Sequence, residues 1–277
     1  IVMDSKEKTI QVKNRVDDIG IHDTAFEYNV SIETIKRILR YYKQVILEKE
    51  VADEVEHHKL NGDHRVLCIG DLHAPFDLEE YYDFCCDIAD KYKPTKVVFI
   101  GDVIDNHYAS YHETDPDGLS GAEELFLSIE RIKRWYNRFP EAYIIIGNHD
   151  RMVMRKAQTS NVPSYWIKTY KEVLNTPGWT FTERVDIDNV QYIHGEAGTA
   201  RTKAKADMMS TVQGHLHTQA YTEWIVGRRF RIFAMQVGCG IDFSSYAMAY
   251  AKSGKKPAIG VGLITNGNIA TNRMMEL

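Results

Sequence analysis

The sequence predicts a layered α/β domain with two β-sheets flanked by helices, preceded by a small all-α module. Residues 1 to about 60 are charged and have helical periodicity, and Asn61-Gly62-Asp63 then marks a turn. After the turn, short β-rich runs first alternate with helical stretches and later follow one another closely, which indicates βαβ units within a mixed sheet. We therefore expect a helical module with its linker over residues 1–60 and an α/β domain over residues 61–277.

Eight short runs in the second region have the composition of strands. They are Arg65–Ile69, Lys96–Ile100, Ala142–Ile146, Val190–His194, Ser210–Gln213, Ala220–Val226, Arg231–Val237 and Ile259–Ile264. Helical periodicity lies between the early runs, at Glu79–Lys91 and Ala122–Phe139. Together these elements predict two sheets packed face to face between helices.

Composition narrows the class of protein. With 277 residues and 44% hydrophobic content, the chain is long enough to bury one large and one small core. A formal net charge of −5 creates no overall basic field, so nucleic-acid binding would require a local patch.

The four cysteines form no CxxC pair, which indicates reduced thiols. The start shows no apolar segment typical of a signal peptide and no run reaches membrane-spanning length, so we expect a cytoplasmic protein.

Five predicted strands end in a similar way, with a glycine beside Asp, Asn or His. These ends are Gly70-Asp71-Leu72-His73, Gly101-Asp102-Val103-Ile104-Asp105, Gly147-Asn148-His149-Asp150, His194-Gly195 and Gly214-His215-Leu216-His217. Strand ends in α/β sheets are where ligands bind, and glycine lets the backbone turn sharply there. A hydrolytic centre with two metal ions requires carboxylate and imidazole ligands and a bridging group. A single Asp at a strand end is often a cap or turn residue, but five such ends in order favour a metal centre.

The ordered motifs DxH, GDxxD, GNHD, HG and GHxH resemble those of the calcineurin-like metallophosphoesterases, from His64 to the C-terminus. The resemblance implies the metallophosphoesterase fold and two divalent metal ions. One ion would be held by Asp71, His73 and His217, and the other by Asn148, His194 and His215, with Asp102 bridging them. We expect Mn²⁺, with Fe, Ni, Zn and Mg as alternatives, because Asp and His suit such ions. Every ligand position of the family pattern is filled, which argues against an inactive relative.

The resemblance also implies a mechanism. A metal-activated hydroxide would attack phosphorus, because metal binding lowers the pKa of water. His149 resembles the general acid of the family, which protonates the leaving oxygen, and Asp105 resembles the carboxylate that orients that imidazole. A simple turn residue is the alternative for Asp105. Asp150 is expected to support the loop.

The sequence departs from the protein-phosphatase branch of the family at two positions. Asn106 follows GDxxD and Ile146 precedes GNH, where that branch has arginines that clamp a phosphomonoester. A phosphodiester carries one less charge and fits a less cationic pocket, so we expect a phosphodiesterase or nuclease acting on DNA or another nucleic acid. The alternatives are a phosphomonoesterase for a nucleotide, a nucleic-acid end or a phosphoprotein, and a DNA-binding regulator with a vestigial esterase domain.

Polar and basic residues near the motifs are candidates for substrate contact. Those that follow the bridging motif are Asn106, His107, Tyr108, Tyr111 and His112, for which an ordinary polar loop is the alternative. Arg201, Lys203 and Lys205 are candidates for a phosphate-attracting rim, although a solvated helix face is favoured. The segment Arg151–Gly178 mixes bases with aromatics, which suits single-stranded nucleic acid, but an amphipathic helix packed on the domain is favoured.

Residues 21–40 resemble a helix-turn-helix. Ala25 fills the small position between the helices, Asn29 suits a left-handed turn position and Ser31 is expected to cap the second helix. The apolar spacing comes from Tyr28, Val30, Ile35 and Ile38. The exposed side of the second helix would carry Ile32, Glu33, Lys36, Arg37 and Arg40, with Lys43 further on.

In such motifs the second helix enters the major groove, so Lys36, Arg37 and Arg40 are the candidates for DNA contact. A structural or partner-docking role competes with DNA binding, because residues 1–60 carry more acids than bases. Glu48–Lys59 is predicted to be a charged helix or linker. Nucleic acid is the expected partner of this module, no membrane partner is expected, and a dimer is compatible with the sequence.

Overall fold

The computed structural model describes residues 5–40, 57–111, 117–245 and 255–276. The chain divides into two compact units, Ile1–Glu56 and His57–Leu277. Two residues named from the sequence, Lys43 and His112, lie outside the described residues, as does most of the predicted helix or linker Glu48–Lys59.

The described part of the N-terminal unit consists of helices α1 (Ser5–Ile19) and α2 (Ile21–Glu27) and a third helical stretch, α3, over residues 32–40. Gly20 separates α1 from α2 with a φ of +85°, a conformation that favours glycine. Asn29 has a φ of +52° in the following turn. The Ser31 hydroxyl accepts a hydrogen bond from the Thr34 N–H at 3.1 Å, which is the predicted cap of the next helix.

A small core holds these helices together, formed by Val12, Ala25 and Ile35. The predicted apolar spacing was wrong for Tyr28 and Val30, which are 42% and 39% exposed. Because α2 ends at Glu27, both residues fall beyond the helix and outside the core. The surface assignment was wrong for Ile32, which packs against the core. The three candidate DNA contacts are exposed, and one of them, Arg40, pairs with Glu33 at 2.5 Å.

The second unit contains two six-stranded sheets. Their strands are β1 His57–Leu60, β2 Arg65–Ile69, β3 Lys96–Phe99, β4 Ala142–Ile145, β5 Trp179–Thr182, β6 Arg184–Ile187, β7 Val190–Ile193, β8 Ser210–Gln213, β9 Tyr221–Val226, β10 Arg231–Gln236, β11 Gly260–Thr265 and β12 Ile269–Met274. The first sheet has the strand order β12-β11-β2-β3-β4-β5 and the second β1-β6-β7-β8-β10-β9. The helices are α4 Glu79–Tyr92, α5 Gly121–Arg138, α6 Met152–Thr159, α7 Tyr170–Leu174 and α8 Ala200–Asp207, with short 3-10 turns at His107–Ala109 and Ser164–Trp166.

Alternation along the strands sorts side chains into two cores. Val66 lies in a cluster with Phe233 and other residues from both sheets, so this core fills the space between the sheets. Leu67, one residue on, lies in the cluster that contains Trp135 of α5. On the second sheet, Ala204 of α8 packs in a smaller cluster with residues of β10. The predicted fold, two sheets flanked by helices, is confirmed.

Four strands were not predicted from the sequence: β1, β5, β6 and β12. β1 is polar and pairs in parallel with β6 at the edge of the second sheet, although its residues were expected in a helix or linker. β12 is the edge of the first sheet and is largely exposed or half-buried. Strands at an edge need no continuous apolar run, which is the signal that predicted the buried central strands.

All four cysteines are free thiols, as expected from their spacing, and Cys68, Cys85 and Cys239 are buried. Burial raises the pKa of each of these three thiols, so they are poor nucleophiles and metal ligands. Over the residues that the structure describes, no helix combines the length and apolar character needed to cross a membrane.

Candidate metal centre

Parallel strands bring the five motifs to one side of the second unit. β2, β3 and β4 are parallel neighbours in the first sheet, and β7 and β8 are parallel neighbours in the second. Parallel strands end on the same side, so the residues that follow them meet. The Leu72 and His73 N–H groups donate to the Asp102 carbonyl at 3.1 and 2.8 Å, which joins the loop after β2 directly to the loop after β3.

The backbone on this side is tightly constrained. His73, Asp102 and His215 have φ angles of +53°, +46° and +69°, a left-handed region that is sparsely populated by residues with a Cβ. Two glycines leave room for carboxylates. A Cβ on Gly147 would lie 2.1 Å from Asp102 Oδ1, and a Cβ on Gly214 would lie 2.4 Å from Asp71 Oδ1. The glycines in these motifs therefore allow the carboxylates to approach the backbone closely.

The first group of candidate ligands consists of Asp71, His73, Asp102 and His217, whose ligand atoms all lie within 4.8 Å of one another. The Nε2 atoms of His73 and His217 are 3.1 Å apart. His217 Nε2 is 3.2 Å from Asp71 Oδ2, and His73 Nε2 is 3.6 Å from Asp102 Oδ2. Two carboxylates and two imidazoles thus converge on one point, which suits a divalent cation.

The second group consists of Asp102, His194 and His215, again with ligand atoms within 4.8 Å of one another. His194 Nε2 lies 3.1 Å from Asp102 Oδ2 and 3.0 Å from Asn148 Oδ1, which brings the predicted amide ligand into the same group. The Nδ1 atom of His194 is 2.8 Å from the Ile100 carbonyl, so Nδ1 carries the proton and Nε2 is the atom left to bind a cation. Asp102 belongs to both groups.

The donor set fits divalent cations. Asp71 Oδ1 and Asp102 Oδ2 are buried and accept no hydrogen bond within the described part of the chain. Within the same residues, both carboxylates form ion pairs with histidines. Leaving buried carboxylate oxygens without a cation or donor is costly, and oxygen and imidazole donors with no thiolate suit Mn, Fe, Ni, Zn or Mg.

The negative charge of Asp102, the carboxylate shared by the two groups, is strongly stabilised. Burial opposes ionisation of Asp102, but the charges of His194, His149 and His73 hold its pKa well below the usual range. Burial likewise opposes protonation of His194, yet the Asp102 carboxylate raises its pKa to about 10. A cation that binds Nε2 must therefore displace a proton from His194.

His149 lies beside the shared carboxylate. Its backbone N–H donates to Asp102 Oδ1 at 2.8 Å. Its Nδ1 lies 2.8 Å from the Asp105 carbonyl and 3.2 Å from Asp105 Oδ1. Burial lowers the pKa of His149, but the hydrogen bond with Asp105 and the charges of Asp102 and Asp105 outweigh burial and raise the pKa to about 9. Cations bound at Asp102 would pull this pKa down.

Asp105 also contacts His73, with Oδ1 2.5 Å from His73 Nδ1. The sequence associated Asp105 with His149 alone, whereas the structure places it against both imidazoles. Asp150 lies behind the site, where Oδ1 accepts from the Val103 and Ile104 N–H groups at 3.0 and 3.2 Å and Oδ2 accepts from the Gly147 N–H at 2.8 Å. Asp150 therefore ties the loop after β3 to the loop after β4.

Only some of the candidate substrate residues lie at the metal centre. The Asn106 amide donates to the His149 carbonyl at 3.0 Å, and His107 Nδ1 is 3.8 Å from Asp105 Oδ2, so both are at the site. Arg201 pairs with Glu223 and stacks over Tyr221, which directs it towards β9. Lys203 lines a cleft beside His194 but also pairs with Asp207 at 3.2 Å.

That cleft, of about 350 Å³, contains an arginine that was not predicted from the sequence. Arg151 follows GNHD directly, and its guanidinium pairs with Glu183 at 2.8 Å and Glu196 at 2.7 Å. The position of Arg151 directly after the GNHD motif could have identified it as a residue of the site. Its pairing could not be predicted, because both carboxylate partners are distant from it in sequence. A larger cleft, of about 860 Å³, lies at the opposite ends of β3 and β4 and contains none of the candidate ligands.

Comparisons with known proteins match the chain to one family. The model of the calcineurin-like phosphoesterase family matches residues 64–226, which is more than half of the chain and includes all seven candidate ligands. A comparison with curated proteins found no match. Similar solved structures include Vacuolar Protein Sorting 29 from Cryptosporidium parvum, at 16% identity over 78% of this chain and 98% of that chain with a TM-score of 0.39.

Two further solved structures are similar. A metallophosphoesterase from Sphaerobacter thermophilus has 13% identity over 78% of this chain and 89% of that chain, with a TM-score of 0.40. Nuclease MPE from Pseudomonas putida has 11% identity over 73% of this chain and 84% of that chain, with a TM-score of 0.34. The chain belongs to the calcineurin-like phosphoesterase family and is a metal-dependent phosphoesterase.

Proposed function

We propose that the chain is a phosphodiesterase that hydrolyses nucleic-acid diesters with two divalent ions. Mn²⁺ is the first candidate for these ions. The observation that carries the proposal is the position of Asp102, which belongs to both groups of candidate ligands. One ion would take Asp71, His73 and His217, and the other Asn148, His194 and His215. When bound, two such ions supply Lewis acidity and lower the pKa of the attacking water.

The residues beside the ligands supply proton transfer. His149 Nδ1 is held by the Asp105 carbonyl and carboxylate, which leaves Nε2 to donate a proton to the leaving oxygen. The negative charge of Asp105 stabilises the imidazolium before transfer, and its hydrogen bond fixes the plane of the ring. His149 is therefore proposed as the general acid and Asp105 as the residue that orients it.

Charge in the cleft supports a diester rather than a monoester. A phosphomonoester dianion is well bound by a free arginine, which can form two parallel hydrogen bonds with it. Arg151 is already paired with Glu183 and Glu196, and the Asn106 side chain is neutral. A phosphodiester has one negative charge and therefore needs fewer positive side chains to bind it.

The experiment is a substrate panel with the purified chain and Mn²⁺. We expect hydrolysis of bis-p-nitrophenyl phosphate to exceed that of p-nitrophenyl phosphate, and Asp102→Asn to abolish both. Cleavage of labelled single- and double-stranded DNA then tests the nucleic-acid assignment. Hydrolysis of the monoester alone would support the phosphomonoesterase alternative, and DNA binding without Mn²⁺ binding would support the regulator.

For the N-terminal unit we propose duplex DNA binding through α3. Lys36 and Arg37 are exposed, and the predicted turn and cap precede the helix. If both side chains contact phosphates, Lys36→Ala with Arg37→Ala should lower the slope of log affinity against log salt by about 1.8. An unchanged slope would support a partner-docking role.

A further inference from the structure

The segment that leaves the metal centre is strongly basic. Between residues 151 and 171 the chain has five bases, Arg151, Arg155, Lys156, Lys168 and Lys171, and no acidic residue. The whole chain, by contrast, has 39 acidic and 34 basic residues. The segment begins at the site, because the Met152 N–H at the start of α6 donates to the His149 carbonyl at 3.1 Å.

Two large aromatic side chains of this segment face solvent. Tyr165 is fully exposed and Trp166 is 84% exposed, and both lie in the 3-10 turn after α6. The favoured prediction, an amphipathic helix packed on the domain, is wrong for these two residues. It holds for Tyr170, which stacks on Phe181 with ring centroids 5.3 Å apart. Exposed Trp and Tyr side chains leave large flat apolar faces in water, which is typical of binding surfaces.

Arginine and lysine side chains link this segment to the loop that follows the bridging motif. Arg155 Cζ lies 5.1 Å and Lys156 Nζ 5.5 Å from the ring centroid of Tyr111, which is itself 54% exposed. α6 also contacts the turns His107–Ala109 and Ser164–Trp166. We call the resulting set the basic–aromatic surface, formed by Tyr111, Arg155, Lys156, Tyr165, Trp166 and Lys168.

We propose that the basic–aromatic surface is a docking site for single-stranded nucleic acid beside the metal centre. Phosphates would lie along the bases, and unpaired nucleobases would stack on the exposed rings. A duplex hides the faces of its bases, so the aromatic faces favour a single strand. The charge favours a polyanion over a neutral protein partner. This inference rests on the proposed phosphodiesterase function, for which it names the form of the substrate.

Binding of a fluorescein-labelled single-stranded oligonucleotide, measured by anisotropy in EDTA, tests the proposal without turnover. We expect Tyr165→Ala with Trp166→Ala to raise the dissociation constant at least about 10-fold, the effect typical of losing one stacked base. Arg155→Gln with Lys156→Gln should lower the salt slope by about 1.4. The matched controls are Phe126→Ala, an exposed aromatic on α5, and Lys133→Gln, an exposed base on α5, which should bind as the native chain does.

Each variant is made in the full chain and also with Lys36→Ala and Arg37→Ala, so that the N-terminal unit does not mask the effect. Melting temperature shows whether the variants fold. Unchanged binding by folded surface variants, or stronger binding of a duplex than of a single strand by the chain that carries Lys36→Ala and Arg37→Ala, would overturn the proposal. Hydrolysis of bis-p-nitrophenyl phosphate by the native chain tests the phosphodiesterase function separately, so the two failures are distinguishable.

Discussion

Asp105 Oδ1 lies 2.5 Å from His73 Nδ1, on the side of the imidazole away from the candidate metal ligands. The same carboxylate oxygen lies 3.2 Å from His149 Nδ1. One side chain therefore orients both a proposed metal ligand and the proposed acid. A carboxylate behind a ligand histidine fixes the tautomer and raises the basicity of the ligand nitrogen.

Asp105→Asn should weaken both metal binding and turnover. The amide keeps the shape but loses the charge, and loss of such a partner typically lowers metal affinity by about 10–100-fold. The measurement is Mn²⁺ titration together with bis-p-nitrophenyl phosphate hydrolysis at saturating metal. Asp87→Asn, at an exposed carboxylate on α4, is the matched control. Native metal affinity in Asp105→Asn would show that the contact with His73 has no role in ligation.

His149→Ala should separate acid catalysis from metal binding. We expect turnover to fall by about 10²–10⁴-fold, the usual contribution of a general acid, while the metal content stays native. The loss should be smaller for a nitrophenolate leaving group than for an alkoxide, since a stable anion needs less protonation. Equal losses for both leaving groups, or loss of the metals, would refute the role as acid.

Two glycines lie against carboxylates of the metal centre, and replacing each with alanine should reduce metal binding to a different degree. Gly147→Ala places a methyl group against the shared Asp102 and should disturb both ions, whereas Gly214→Ala presses on Asp71 and should disturb one. Overpacking of this kind typically costs about 1–3 kcal/mol of stability. Metal content per folded chain is the readout. Gly198→Ala, at a φ of +78° with its nearest neighbour 3.5 Å away, should lower stability through backbone strain but leave the metal content native.

The buried carboxyl group of Asp77 should make the stability of the folded protein depend on pH. Burial raises its pKa to about 6 and outweighs the nearby Arg131 charge. A raised pKa means that the folded state binds the proton more tightly than the unfolded state. The stability from this group is therefore full below about pH 4 and is lost as pH rises to about 6.

Asp77→Asn removes this titration. Its stability relative to the native chain should rise between pH 4.5 and 7, by at most about 3 kcal/mol, as measured by urea unfolding at each pH. Glu79→Gln, which removes an exposed partner of Arg131, should show no such rise above pH 5. Parallel stability curves for Asp77→Asn and the native chain would contradict the assignment.

The candidate ligands could be predicted because two constraints act locally in sequence. Buried parallel strands read as apolar runs, and a metal centre restricts which residues follow them, as in Ile69-Gly70-Asp71. The pairing of Arg151 with Glu183 and Glu196 depends on chain segments that meet only in the fold. Periodicity likewise could not show that Tyr165 and Trp166 face solvent, because a mixed polar and aromatic run is compatible with either state.

Whether Asp102 bridges two metal ions is tested by counting the ions bound per chain during Mn²⁺ titration of the metal-free protein, with bis-p-nitrophenyl phosphate hydrolysis followed in parallel. The shared position of Asp102 predicts two ions per native chain, hydrolysis that requires both, and loss of both in Asp102→Asn. Full hydrolysis with one ion bound, or native metal content in Asp102→Asn, would contradict a centre bridged by Asp102.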